Sequence, residues 1–160
     1  FFLLSIMSNL DVLNLNGVYA VNPKSESLEE VMKLQGMGWA TRKLGAKVAN
    51  TMILTIEHTP EKMVQTYSAA VKTKVVQVDL TANEKEVVDP DLNAKVIMTV
   101  TFEDDGKKMV IKTVCPKKFE RVVTWERVDD NNVHSVINYA LLDGSKQQVK
   151  VNRYYTKHQA

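Results

Sequence analysis

The sequence is poor in the features that mark disulfide-rich, membrane-spanning or multidomain proteins. It contains one cysteine, Cys115, in 160 residues, so no disulfide can form within the chain. It has no Asn-x-Ser/Thr acceptor, and the two absences together favour a reducing compartment. The apolar run from Phe1 to Ile6 is too short to span a membrane. No linker rich in proline, glycine or serine divides the chain, and a net charge of +2 argues against a nucleic-acid partner.

What is present indicates one globular domain. Apolar residues make up 44% and charged residues 25% of the chain, an ordinary balance for a folded protein. We expect residues 1–12 to be an N-terminal extension, disordered or part of a targeting segment, and residues 13–160 to form the domain. Met7 is the expected initiator, which favours a cytoplasmic protein. If Phe1 to Ile6 is instead the remnant of a signal peptide, the protein is secreted.

Helical periodicity is confined to one early segment, from about Ser25 to Ala46. Ser27 and Glu30 form a Ser-x-x-Glu capping box, which satisfies free amides at a helix start. Apolar residues follow at helical spacing, and two nearby glycines end this first short helix. We predict a second short helix over Trp39 to Leu44, ended by Gly45.

After this segment the apolar pattern changes to a period of two, which is typical of strands with one buried face. Turn-forming residues separate the candidate strands. The strands are predicted over Gly17 to Val21, Thr51 to Glu57, Met63 to Ala69, Lys72 to Leu80, Glu84 to Val88, Ala94 to Glu103, Lys107 to Val114, Phe119 to Val128, Val133 to Leu142 and Gln147 to Thr156. Ten short strands in hairpin succession predict an antiparallel meander, folded as a sandwich or as a closed barrel.

The last predicted strand favours the barrel. One of its faces combines Val149 and Val151 with Arg153 and Tyr155, and an unpaired charge is costly in a dry sandwich core. The same face suits the wall of a partly hydrated cavity that receives an anion. Because alternate residues of a strand share a face, the guanidinium and the phenol can reach one carboxylate together.

No constellation of residues indicates catalysis or a metal site. The three histidines, His58, His134 and His158, have no metal-ligand spacing, and we interpret them as surface residues. The Gly36-x-Gly38 sequence lacks the remainder of a dinucleotide-binding fingerprint, and no Gly-x-Ser-x-Gly sequence occurs. We therefore predict a protein without enzymatic activity, cofactor or metal.

Three segments together resemble the intracellular fatty-acid-binding proteins of the calycin superfamily. The run from Gly36 to Leu44, GMGWATRKL, is similar to the family's helix-turn-helix lid. The segment from Leu15 to Tyr19 resembles the family's first strand, and Arg153-x-Tyr155 matches the Arg-x-Tyr element of its anion site, with an Arg-Tyr-Tyr form similar to nematode members. The resemblance implies a ten-stranded antiparallel up-and-down β-barrel (β-clam), capped by a helix-turn-helix lid around a large cavity. It also implies a monomer that binds and transports long-chain fatty acids.

The resemblance further implies which residues bind the ligand. Arg153 and Tyr155 would hold the carboxylate. The family's second arginine aligns with Trp125, which we expect to line the cavity. Arg127, two residues further along, is the predicted replacement for that arginine, and Arg121 is a second possibility four residues before Trp125.

The lid and the neighbouring turn would form the entrance to the cavity. Met32 and Met37 on the lid and Val71 in a strand turn are the predicted portal residues. Transient contact with anionic membranes is expected through a basic lid surface, formed by Lys33, Arg42, Lys43 and Lys47. Two alternatives to a fatty-acid carrier remain open: a carrier of a retinoid, sterol-like or lysolipid ligand, and a membrane-associated structural barrel.

Overall fold

Ten strands and two helices form the part of the chain that the computed structural model describes, residues 12–81, 83–89 and 92–158. The helices are α1 (Glu29–Leu34) and α2 (Trp39–Thr51). The strands are β1 (Gly17–Val21), β2 (Ile53–His58), β3 (Lys62–Ser68), β4 (Thr73–Asp79), β5 (Lys85–Asp89), β6 (Ala94–Glu103), β7 (Lys108–Cys115), β8 (Phe119–Arg127), β9 (Asn132–Leu141) and β10 (Gln148–Lys157). Within these ranges no helix is both long enough and apolar enough to cross a bilayer.

The strands form one antiparallel sheet in the order β4-β3-β2-β1-β10-β9-β8-β7-β6-β5. The first strand pairs with the last, so the two ends of the meander join, and the edges of the sheet are β4 and β5. Among the described residues no backbone ladder joins these edges, yet both line one cavity and Lys85 Nζ lies 3.3 Å from Asp79 Oδ2 across them. The sheet therefore curls into a barrel, which confirms the predicted β-clam and rules out the sandwich.

Two apolar clusters lie inside the barrel. The lower cluster closes the end opposite the helices, and its core members include Leu13, Leu15, Tyr19, Met63, Met109, Ile111, Trp125, Val133 and Tyr155. The lid cluster lies beneath α1 and consists of Val31, Val96, Cys115, Phe119, Tyr139 and Val151. Burial of a large apolar side chain contributes about 1.5–3 kcal/mol, so these clusters stabilise the two ends of the barrel.

The first helix ends as the sequence predicts. Gly36 has φ +83°, a left-handed conformation that favours glycine. Its amide donates to the Lys33 carbonyl at 3.0 Å, and the Met37 amide donates to the Met32 carbonyl at 3.1 Å. This pair of bonds is a Schellman motif, which satisfies free carbonyls at a helix end.

The second helix differs from the prediction, because Gly45 does not end it. The helix runs through Gly45 to Thr51. A Cβ atom at Gly45 would lie 3.1 Å from the Met32 Sδ atom, so the missing side chain allows the two lid helices to pack closely. The capping box is also only partly formed: the Ser27 hydroxyl accepts from the Glu29 amide at 3.1 Å, one residue earlier than the motif requires.

Candidate functional site

A layer of polar side chains separates the two apolar clusters inside the barrel. It comprises Thr113, Arg121, Ser135 and Arg153, and we call it the polar belt. Each member lies on its strand between a residue of the lid cluster and a residue of the lower cluster. Thr113, Ser135 and Arg153 are each 1% exposed. Two guanidinium groups in an otherwise apolar interior give this layer a positive charge suited to an anionic or oxygen-bearing ligand.

Arg153 uses most of its donors to hold the lid. Its Nη1 atom donates to the Glu26 carbonyl at 2.6 Å and to the Asn50 Oδ1 atom at 2.9 Å. Its Nη2 atom donates to the Ala49 carbonyl, in the last turn of α2, at 3.2 Å. The buried Nε atom has no partner among the described residues. The side chain therefore ties both ends of the lid to β10, and its Nε donor stays unused.

Tyr155 lies beside Arg153 and against Trp125. Its ring stacks on the indole with centroids 5.7 Å apart. Burial raises the pKa of the Tyr155 hydroxyl, and the positive charge of Arg153 opposes that rise. The phenol is therefore protonated near neutral pH and can donate to an anion. Trp125 is 2% exposed and belongs to the lower cluster.

Tyr67, on β3, shares the electrostatic environment of both interior arginines. Burial is the main cause that raises the pKa of its hydroxyl, while the charges of Arg121 and Arg153 act in the opposite direction. Its hydroxyl donates to the Gln65 Oε1 atom at 3.2 Å. Tyr67 is a functional candidate that the sequence reasoning missed, although its alternation with Gln65 on an inward face was a usable signal.

Arg121 lines a cavity of about 200 Å³ between the sheet edges β4 and β5. Its neighbours in the wall include Thr113 from the polar belt and the apolar side chains of Val76, Val96 and Met98. The side chain makes no hydrogen bond or salt bridge with any residue that the structure describes. The opening between the edge strands therefore exposes one guanidinium of the polar belt to this cavity.

Arg127 lies outside the polar belt, contrary to what we expected of the second arginine. Its Nη2 atom bonds the Asp130 carboxylate at 2.6 Å, and its Nε atom donates to the Asp129 carbonyl at 3.1 Å. Both partners belong to the exposed turn after β8. The structure therefore brings Arg121 to the interior, whereas Arg127 stabilises a turn at the rim.

The three predicted portal residues lie at the lid and at a neighbouring turn. Met32 packs against Gly45, Met37 is partly exposed, and Val71 is 84% exposed in the turn between β3 and β4. Trp39 and Leu44 on α2 are each 66% exposed, and the sequence reasoning did not identify them as surface residues. Their exposure adds a large apolar area to the outer side of the lid.

The basic residues of the lid are not all free. Arg42 Nε lies 3.5 Å from the Glu29 carboxylate, and Lys43 Nζ lies 3.0 Å from it. Lys33 and Lys47 are exposed. The lid surface therefore presents part of the predicted charge, with Glu29 neutralising some of the rest.

Interpreting all three histidines as surface residues was wrong for His58. This side chain is 2% exposed, its Nδ1 atom accepts from the Leu15 amide at 3.3 Å, and burial lowers its pKa. His134 is half-buried between Glu126 and Asn152, at 2.9 and 3.0 Å. In the described part of the chain no group of three or more His, Cys, Asp or Glu residues could hold a metal ion.

Comparisons with known proteins confirm the fold. No family model and no curated protein matches the chain. Among solved structures, the REP1-NXSQ fatty acid transporter matches 92% of this chain and 98% of its own, with a TM-score of 0.69 and 20% identity. A Schistosoma mansoni fatty acid binding protein in complex with arachidonic acid matches 96% and 98%, with a TM-score of 0.66 and 22% identity. Human cRBP IV matches 90% and 98%, with a TM-score of 0.69 and 15% identity. The chain thus shares the β-clam fold that its sequence resemblance implies.

Proposed function

We propose that the protein is a non-enzymatic carrier that binds a long-chain fatty acid inside the barrel and transports it as a monomer. The proposal is supported by the polar belt between two apolar clusters, and by a fold shared with a fatty acid transporter and a fatty acid binding protein. Burying a methylene contributes about 0.8 kcal/mol, so a sixteen-carbon chain supplies a gross gain on the order of 12 kcal/mol. Part of that gain offsets the cost of ordering the ligand.

The observation that carries the proposal is the unused Nε donor of Arg153 beside the Tyr155 hydroxyl. A buried donor without a partner costs about 1–3 kcal/mol. A carboxylate oxygen would remove that cost and accept a charge-assisted hydrogen bond. Arg153 and Tyr155 therefore hold the carboxylate in this proposal, with Trp125 forming the adjacent wall.

Titration of the delipidated protein with a fluorescent fatty acid tests the proposal. We expect saturable binding that unlabelled hexadecanoic acid displaces. Tyr155→Phe removes the phenol oxygen and leaves the Arg153 bonds to the lid in place, so it should weaken hexadecanoic acid about tenfold and hexadecanol little. Arg127→Gln, at the exposed turn, is the matched control. The absence of saturable binding in the wild-type protein would reject the carrier function.

A retinoid, sterol-like or lysolipid ligand is the second candidate. Trp125 in place of a second arginine favours it, because a stacked aromatic wall suits a less acidic head, and human cRBP IV has the same fold. Mass spectrometry of lipid that co-purifies with native protein distinguishes the candidates. Recovery of a neutral lipid in place of fatty acids would replace the first proposal with this one.

The proposal includes transient contact of the lid with anionic membranes. Lys33 and Lys47 supply charge, and Trp39 and Leu44 supply exposed apolar surface. Each basic residue near an anionic surface contributes about 1 kcal/mol. Co-sedimentation with phosphatidylserine vesicles should decrease for Lys47→Glu and with added salt. Binding too strong for physiological salt to reverse would instead favour the membrane-associated structural barrel.

The proposed site of action is the cytoplasm. Cys115, the single cysteine, is buried as a free thiol, which is compatible with a reducing compartment. Secretion stays the alternative, through the signal-peptide interpretation of Phe1 to Ile6. N-terminal sequencing of the native protein decides between them: a mature end at Met7 or Ser8 favours the cytoplasm, and an end further along the chain favours secretion.

A further inference from the structure

Arg121 and Arg153 belong to one polar belt but are used differently. Arg153 directs three hydrogen bonds at the lid. Arg121 has no hydrogen-bond or salt-bridge partner in the described ranges, and it lines the cavity between β4 and β5. The belt thus contains two separate cationic positions, and the proposed carboxylate contact accounts for one of them.

The cavity around Arg121 combines this charge with an apolar wall. Val76 and Val87 line it from the two edge strands, and Met98 lines it from β6. Lys74 and Asp89 also line the cavity, so its wall combines the Arg121 guanidinium and other polar groups with these apolar side chains. Such a wall fits a length of hydrocarbon that carries an oxygen atom.

We propose that Arg121 and Thr113 form a second polar subsite, which takes an oxygen-bearing group along the lipid chain, so that the barrel selects oxygenated long-chain fatty acids over unsubstituted ones. This inference rests on the proposed function, in which Arg153 and Tyr155 hold the carboxylate. An unsubstituted methylene chain in the cavity displaces water from the Arg121 guanidinium and offers its N–H groups no hydrogen-bond acceptor in exchange. A hydroxyl or carbonyl oxygen accepts from Arg121, and a ligand hydroxyl can also bond the Thr113 hydroxyl, which is 1% exposed.

Competition between stearic acid and its hydroxystearic isomers, substituted at successive positions, tests the subsite. Hydrogen bonds to charged groups imply that at least one isomer binds the wild-type protein about tenfold more tightly than stearic acid. Arg121→Gln should bring that ratio close to one while stearic acid affinity changes by less than about threefold. Thr113→Val, which keeps the side-chain volume, should reduce the ratio partly, and Arg127→Gln should leave it unchanged. Circular dichroism and thermal unfolding verify that each variant folds.

Three outcomes would overturn the inference. The wild-type protein could bind every isomer as it binds stearic acid. Arg121→Gln could leave a preference intact, which would place the oxygen elsewhere. Arg121→Gln could weaken stearic acid and its isomers equally, but not octadecanol, which would make Arg121 a contact of the carboxylate itself. Failure of the proposed function gives a different result, because stearic acid then does not bind the wild-type protein at all.

Discussion

The bonds from Arg153 to the lid predict a measurable coupling between a barrel strand and the end of α2. Asn50→Ala removes one acceptor of the guanidinium, and a hydrogen bond to a charged donor contributes about 1.5–3 kcal/mol. Asn50 is exposed and the same Nη1 atom also bonds the Glu26 carbonyl, so we expect the lower end, about 1.5 kcal/mol. Arg153→Met keeps the length of the stem and removes all three bonds, for an expected loss of about 3 kcal/mol.

The double variant isolates the interaction between the two side chains. If Asn50 stabilises the fold through its bond with Arg153, Asn50→Ala should change the free energy of unfolding very little in the Arg153→Met background. The difference between the two backgrounds is the coupling energy, which we expect to be about 1–1.5 kcal/mol. Urea unfolding measures the four free energies. Hydrogen exchange of the α2 amides from Gly45 to Thr51 provides a local measurement, and it should accelerate more than global unfolding explains.

Two results would refute the reasoning. Arg153→Met could change the unfolding free energy by less than about 0.5 kcal/mol, the range of ordinary surface substitutions. Alternatively, Asn50→Ala could cost the same in both backgrounds. Arg127→Met is the control, since the bonds of this arginine to described residues all go to the exposed turn, and its effect should stay within about 0.5 kcal/mol.

Three further predictions concern packing and pH. Gly45→Ala should leave the free energy of unfolding almost unchanged, because the flexible thioether of Met32 can shift and alanine gains about 1 kcal/mol of helix propensity. Gly45→Leu should lower the free energy of unfolding in urea by about 1–3 kcal/mol, because the larger side chain forces the lid helices apart. Equal stability of the two variants would contradict this packing. Burial lowers the pKa of His58 below its ordinary 6.5, so the neutral side chain stabilises the fold fully above pH 6.5, and this stabilisation is lost as the pH falls below 6.5. The thermal stability of His58→Gln should therefore depend less on pH below 6.5 than that of the wild type. An unchanged pH dependence would exclude His58 as the cause. Hydrogen bonds, chiefly from Thr81, lower the pKa of Asp79 from 3.8 to about 2. The ionised carboxylate therefore stabilises the fold above pH 3.8, and this stabilisation is lost as the pH falls through about 2. Asp79→Asn should remove that acid-dependent loss, and acid unfolding identical to that of the wild type would refute the prediction.

The strands could be predicted from the sequence because the inside and outside of a barrel impose a period of two directly. The bounds of β1 and of β6 from Ala94 to Glu103 coincide with the prediction, and the other strands begin and end within two residues of it. The boundary between α2 and β2 was less accurate. The helix continues through Gly45 to Thr51, and Gly45 there lies against Met32, a tertiary contact that the local sequence does not reveal.

The arrangement of the interior arginines could be predicted only in part. Alternation places Arg121, Trp125 and Arg127 on one face of β8, so it cannot distinguish between the two arginines. Depth along the strand makes the distinction. Trp125 pairs across the sheet with Ser135, which pairs with Arg153, and this register leaves Arg127 at the rim beside the Asp130 carboxylate. Register across three strands, and the carbonyls of the lid that Arg153 reaches, are set by the whole fold.

The pairing of β1 with β10 has a consequence for the order in which the chain folds. Nine ladders join the described strands, and eight of them connect strands that follow one another in the sequence. The ninth pairs residues 19–21 with residues 155–157, so its formation closes a loop of nearly the full length of the chain. Closing so long a loop has a high entropic cost, and non-local strand pairing slows folding to milliseconds or longer. The hairpins can therefore form early as an open meander, and the enclosed interior of the barrel forms only when β1 pairs with β10.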